Sequence, residues 1–270
     1  NAGQLSLTGE EDLTLLLNNI KLKNITADIL QLPEEKVIEG ELNLHYVMTG
    51  SADNPVIHLS NFIDSIKVQN YYLGSLESSV KYSDKTLTTN LSFMESRNNQ
   101  VKRSLGLEGT LPINLSFYSK DRFVRDRKID MTFLADNFDL RFASSFIPGI
   151  KNLVGSLNGR VNFDGYYEDI NNSGELSIDN SSFVLELTNL KYLLEGKLDF
   201  QNDKIVLKDM NLKNDVSIKN GGTMVITGQI DHQYFKIQQV NLSASGSLKI
   251  MDEKTKAVNP ALYGSITVQT

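Results

Sequence analysis

The sequence predicts an all-β protein: a mostly antiparallel, elongated sheet of many short strands, with one or two short helices. Three observations carry that reading. Apolar and polar residues alternate over runs of about 5 to 9 residues, clusters of Asn, Asp, Gly and Ser separate the runs, and only two stretches break the alternation.

The alternation is plainest from Gly155 to Asn180, GSLNGRVNFDGYYEDINNSGELSIDN. On an extended chain Leu157, Val161 and Phe163 share one side, and Asn158, Asn162 and Asp164 the other. A helix would bury Asn beside Val. GELNLHYVM, KTLTTNLSF, SFVLEL, EGKLDF, DKIVLKD and TMVITGQI obey the same rule. In the last, Met224, Ile226 and Ile230 share a face with Gly228, opposite Thr223, Thr227 and Gln229. QND before KIVL, KNGG before TMVI and YSDK before TLTT supply residues that tolerate left-handed backbone, so each predicts a turn.

The two exceptions are ITADILQLPE and LRFASSFIPGIKNLV. Helical spacing around a proline predicts a short helix near residues 25–34 and another near 140–153. Each precedes a Gly-bounded strand, Gly40 to Gly50 and Gly155 to Gly165, so helix, strand and hairpins recur about 115 residues apart. The chain is thereby read as two β-rich quasi-repeats, residues 1–134 and 135–270, in one continuous unit.

Composition removes several function classes. Lys plus Arg number 27 against 33 Asp plus Glu, a net charge of -6, which argues against duplex nucleic acid as a partner. The absence of Cys excludes disulfides, thiolate zinc sites and thiol nucleophiles together. His45, His58 and His232 show no metal-ligand spacing, and no nucleophile elbow, phosphate loop or dinucleotide fingerprint occurs. The expectation is a protein that is not an enzyme and needs no cofactor or metal. No apolar run reaches the roughly 20 residues of a spanning helix, and Asn1 in place of an initiator Met is expected of a processed or excised chain. The densest charge, Lys120 to Lys128, reads either as a basic hairpin for phosphates or as a solvated turn.

Periodicity alone leaves open whether the apolar stripe is the inside of a sandwich or barrel or the lining of an open groove. Phe138 to Ile178 resembles the repeat signature of the TamB and AsmA-like envelope proteins, the translocation-and-assembly and bridge-like lipid-transfer family. The positions that carry it are Phe146, Pro148, Gly155, Leu157, Gly159, Val161, Phe163, Gly165, Gly174 and Leu176. Gly40 to Gly50 is a fainter copy. One position departs: the family's proline after the motif glycine is Ile170 here, although Pro55 does follow Gly50.

The resemblance implies a sheet curled into a taco-like groove or open cylinder with an apolar interior. It implies a segment of a periplasm-spanning lipid conduit in the bacterial cell envelope, shielding phospholipid acyl chains between inner and outer membranes and supporting outer-membrane biogenesis. An inner-membrane anchor outside this stretch and an outer-membrane barrel of the Omp85 class are the implied partners. The groove wall would then be Leu157, Val161, Phe163, Leu176, Ile178, Phe183, Leu185, Leu187, Leu198, Phe200, Ile205, Leu207, Met224, Ile226 and Ile230. Two alternatives stand beside it. One is chaperone-like assistance of outer-membrane β-barrel assembly or secretion, by edge pairing around Tyr263 to Val268; the other is a closed β-sandwich adhesion or scaffold module.

Overall fold

The computed structural model describes residues 4–8, 12–68, 70–97, 100–233, 236–262 and 264–270. Among them are fifteen strands, each beside its neighbour in sequence, and only short helical turns. The chain divides into two compact units, Asn1–Asp136 with Val161–Asn171, and Asn137–Arg160 with Asn172–Thr270. In neither unit do hydrogen bonds among the described residues close the sheet into a barrel.

The first unit is built from β1 (Gln4–Thr8), β2 (Leu13–Lys21), β3 (Ile38–Gly50), β4 (Pro55–Val68), β5 (Tyr71–Ser83), β6 (Thr86–Arg97), β7 (Gln100–Pro112) and most of β8 (Ile129–Asp139). Register is fixed by the alternation, because a one-residue slip would turn each apolar set to water. One row reads Leu17, Leu44, Asn61, Ser78, Leu91, Leu107, Phe133 across successive strands. The opposite face carries His45, Ser60, Ser79, Asn90, Glu108 and Thr132 in one row. The YSDK turn forms as the sequence predicts: Asp84 and Lys85 both take positive φ, 45° and 55°, between the paired residues Ser83 and Thr86.

The segment 113–128 folds back over one end of this unit. Phe117 N–H donates to Ala52 O (2.9 Å), Leu115 N–H to the buried Tyr82 hydroxyl (2.8 Å), and Arg127 pairs with Asp84 at 3.0 Å. Arg122 donates to Asn114 O and Ser116 O, and Arg125 holds Asp121 at 2.7 Å and Glu168 at 3.4 Å. Lys128 stands over the Tyr166 ring at 5.7 Å, so four of the five cations in the basic cluster are engaged within the fold.

The second unit contains β9 (Ile150–Tyr166) up to Arg160, β10 (Asp169–Leu185) from Asn172, β11 (Leu190–Gln201), β12 (Lys204–Asn214), β13 (Thr223–Gln233), β14 (Lys236–Met251) and β15 (Ile266–Gln269). Its helices are single turns, α1 (Arg141–Ser144) and α2 (Thr255–Val258). The helix expected near 140–153 therefore ends at Ser144; Pro148 and a positive-φ Gly149 turn the chain, and β9 begins at Ile150. The helix expected near 25–34 is a π-helical turn, Asn24–Ile29, followed after Pro33 by a 3₁₀ turn, Glu34–Lys36. The Thr26 hydroxyl ties the first turn to Leu22 O and Ile38 O, both at 3.0 Å.

A glycine facing a bulge occurs at two places along the chain. Gly155 faces a bulge in β10, where Asn180 has φ 49° and the register shifts between Ile178 and Ser181; a Cβ at Gly155 would stand 2.5 Å from Ser181 Cα. Gly40 faces a bulge in β4, where Ser65 has φ 53°, and its Cβ would stand 2.9 Å from Asp64 O. Both glycine and bulge recur about 115 residues on. Bulges bend and twist a strand, and the glycine admits the neighbour that bends.

Candidate functional site: an apolar trough

Strand pairing in the second unit sorts its apolar residues into rows across the sheet. One row is Gly174, Phe200, Ile205, Ile230, Val240; the next is Leu176, Leu198, Leu207, Gly228, Leu242. Beyond the bulges come Met210, Ile226 and Ala244 beside Ile178 and Gly196, then Ser181, Leu194, Leu212, Met224 and Gly246. The reverse face is charged: Glu175 meets Lys197 at 2.8 Å, and Asp199 meets Lys208 at 2.6 Å. The Lys208 ammonium first, then Gln201, holds the Asp199 carboxyl below its usual range, while Glu175 raises Lys197.

The apolar face is concave at both ends of the strands. At one end, Asn172 Nδ2 on β10 lies 2.9 Å from His232 Nε2 on β13. In a flat sheet those backbones would stand about 14 Å apart, more than the two side chains span, so the sheet bends toward this face. At the other end, Leu190, Tyr192, Ile218, Met224 and Leu248 form a buried cluster, with Phe183, Leu185, Leu212, Ile226 and Val268 packed against it. Tyr192 stacks on Phe183 at 5.7 Å and reaches across two strands to donate to Lys249 O at 3.2 Å. Burial pushes its phenol pKa up. The Thr255 hydroxyl of α2 donates to Thr188 O, fastening the loops over this end.

Between the cluster and the Asn172–His232 pair, Leu198, Phe200, Ile205, Leu207 and Ile230 are half-buried, and Val240 and Leu242 are each 50% exposed. The result is a trough with an apolar floor, one packed end and one polar end.

Of the expected wall residues, Leu176, Ile178, Leu198, Phe200, Ile205, Leu207, Met224, Ile226 and Ile230 lie in these rows, and Phe183 and Leu185 at the packed end. Leu157 is half-buried on β9 in the same unit, whereas Val161 and Phe163 belong to the first unit. Leu187 stands apart: it sits in the β10–β11 turn, 59% exposed. Sequence reading passed over Leu194, Met210, Leu212, Val240 and Leu242. Leu194 and Leu212 were available from alternation; Met210 lies past the bulge at Asp209, and Val240 and Leu242 sit in a strand diluted by Gln, Ser and Asn.

The edge expected around Tyr263 to Val268 is β15, which pairs with Ser247–Met251; Tyr263 itself lies outside the described residues. Among the described residues no three His, Cys, Asp or Glu side chains gather to hold a metal ion, and no helix is long and apolar enough to cross a membrane. Comparison of the chain with family models, with curated proteins and with solved structures returned no match.

Proposed function

We propose that this chain is a segment of a lipid conduit whose trough shields phospholipid acyl chains, without covalent chemistry. The observation that supports it is the run of half-buried apolar rows, in register from β10 to β14, with a charged reverse face. Each methylene laid against such a wall gains about 0.8 kcal/mol relative to water. A wall of Leu, Ile, Val and Phe offers no polar group to fix one headgroup, which suits passage of many lipids. The resemblance of Phe138 to Ile178 to the TamB and AsmA-like proteins points the same way. With it come the periplasm as location and an inner-membrane anchor and an Omp85-class barrel as partners.

The test is mass spectrometry of lipids retained through gentle purification of the chain, with Ile230→Asp and Leu187→Asp alongside. Near-stoichiometric phospholipid is expected on the wild type and on Leu187→Asp, and its loss on a folded Ile230→Asp. A lipid-free wild type that also leaves a hydrophobic dye dark overturns the proposal.

A further inference from the structure

Four connections leave the packed end of the second unit: 140–149 before β9, 186–189 between β10 and β11, 215–222 between β12 and β13, and 252–262 after β14. They are fastened together. Glu186 N–H donates to Gly149 O at 2.9 Å, and the Thr255 hydroxyl to Thr188 O at 2.9 Å. Asp215 N–H donates to Lys191 O at 3.0 Å, and the Lys249 ammonium to Lys219 O at 2.6 Å.

Each connection turns apolar side chains outward: Phe146 and Ile147, Leu187, Val216 and Val258, from 41% exposed at Ile147 to 91% at Val216. None of them lies in a strand, so alternation does not account for their position. Single exposed apolar residues are ordinary on a protein surface; one at every connection along one end is a pattern. The turns that carry them bond to themselves. Phe146 N–H donates to Ala143 O at 3.0 Å, and Asn189 N–H to Leu185 O at 2.7 Å around Leu187. Ile218 N–H donates to Asp215 O at 2.9 Å around Val216, and Asn259 N–H to Thr255 O at 2.9 Å around Val258.

Charge at this end runs against that of the chain. The four connections, with two residues on either side, hold seven cations against five anions, while the whole chain carries -6. Several of the anions are already taken: Asp139 pairs with Arg141 at 3.0 Å, Asp215 with Lys191 at 3.3 Å, and Asp252 accepts from Lys254 N–H at 2.8 Å. Lys213, Lys219, Lys254 and Lys256 are exposed.

We propose that this end of the second unit docks on an anionic lipid bilayer, its apolar tips entering the headgroup boundary and its lysines facing the phosphates. The tips stand on separate loops, with exposed Ser217 and Asn220 beside Val216. A fluid interface accepts such scattered tips, whereas the core of a protein interface is packed as closely as a protein interior. The self-bonded turns lower the cost of taking their backbone out of water. Docking stands on these loops and does not depend on lipid occupying the trough.

Flotation of the full chain with vesicles reads the docking directly, phosphatidylcholine alone being compared with phosphatidylcholine and phosphatidylglycerol in equal parts. The chain is expected to float with the anionic vesicles, more weakly as salt rises, and to stay behind with the neutral ones. Phe146→Asp and Val216→Asp should each weaken flotation about tenfold, and Lys254→Gln with Lys256→Gln about tenfold. Ile237→Asp, 67% exposed at the far end of β14, should leave it unchanged. A chain that floats with neither vesicle overturns the proposal, as does equal flotation with both. Equal losses in Val216→Asp and Ile237→Asp also overturn it; should Phe146→Asp unfold, Val216→Asp, at the most exposed tip, decides. Lipid retained through purification and flotation on vesicles are separate readouts, so the conduit and the docking surface can each fail alone.

Discussion

Asn214→Ala isolates what closes the packed end of the trough. Asn214 is 3% exposed at the end of β12, and its amide joins β14 across the start of β13. Nδ2 donates to Lys249 O at 2.9 Å, while Oδ1 accepts from Lys249 N–H and from Gly222 N–H, each at 2.9 Å. The side chain thus imitates a β-bridge where no strand can fit. Alanine removes three hydrogen bonds, leaving Lys249 O only the Tyr192 hydroxyl; at about 1 kcal/mol each, the loss is about 3 kcal/mol, more where water cannot replace the amide. Urea unfolding followed by tyrosine near-UV circular dichroism measures it, and hydrogen exchange at the Lys249 and Gly222 amides locates it. Asn214→Asp keeps the acceptor but turns a second oxygen on Lys249 O, so it should not rescue stability. A loss below about 1 kcal/mol with both amides still protected would refute the bridge as the closing element.

Other substitutions separate wall, turn and bulge. Leu190→Ala, at a side chain with no exposure, should cost about 2 to 5 kcal/mol, whereas Leu187→Ala in the exposed turn should stay within about 0.5 kcal/mol, both by urea midpoint. Gly196 has φ 154° opposite the Asp209 bulge, and a Cβ there would stand 2.7 Å from Met210 Cα; Gly196→Ala should lower the thermal midpoint through about 1 to 3 kcal/mol of strain. Asp215 accepts from Ser217 N–H at 3.0 Å and pairs with Lys191 at 3.3 Å, which hold its carboxyl below the ordinary 3.8. Its contribution is present above that value and lost as pH falls through the lower folded one. A urea series from pH 5 downward should therefore show an acid loss that Asp215→Asn reduces.

The alternating runs made the strands legible and sorted their apolar residues by face, because period two says which residues share a face whatever the tertiary context. Asp84 and Lys85 were legible as a turn for a local reason, their tolerance of positive φ. Leu187 was misplaced since it continues the phase of Phe183 and Leu185; what ends the strand is the turn through Asn189 at φ 57°, and one-dimensional pattern does not see where pairing stops. The basic cluster was ambiguous because its partners, Asp84 and Glu168, lie about 40 residues away on either side. Asn214 was invisible as a structural residue: its meaning rests on Lys249, brought near only by curvature.

The glycines show how one sequence feature serves both bend and surface. Each of the four rows in the second unit gives one place to glycine, Gly174, Gly228, Gly196 and Gly246 in turn, on four different strands. A sealed sandwich gains nothing from that, since a missing side chain on an inner face leaves a void whose lining loses contacts, and a second sheet must pack on it. Within this unit every strand among the described residues pairs only with its sequence neighbours. An open wall uses the same omissions differently: they let the sheet bend toward the apolar face and leave a shallow path past Phe200, Leu207 and Leu242. The half-exposed leucines and isoleucines along that path forgo part of the 1.5 to 3 kcal/mol that full burial would give each, roughly the gain an apolar occupant restores. Pattern, curvature and incomplete burial therefore agree with the open apolar groove on which the proposed lipid conduit rests.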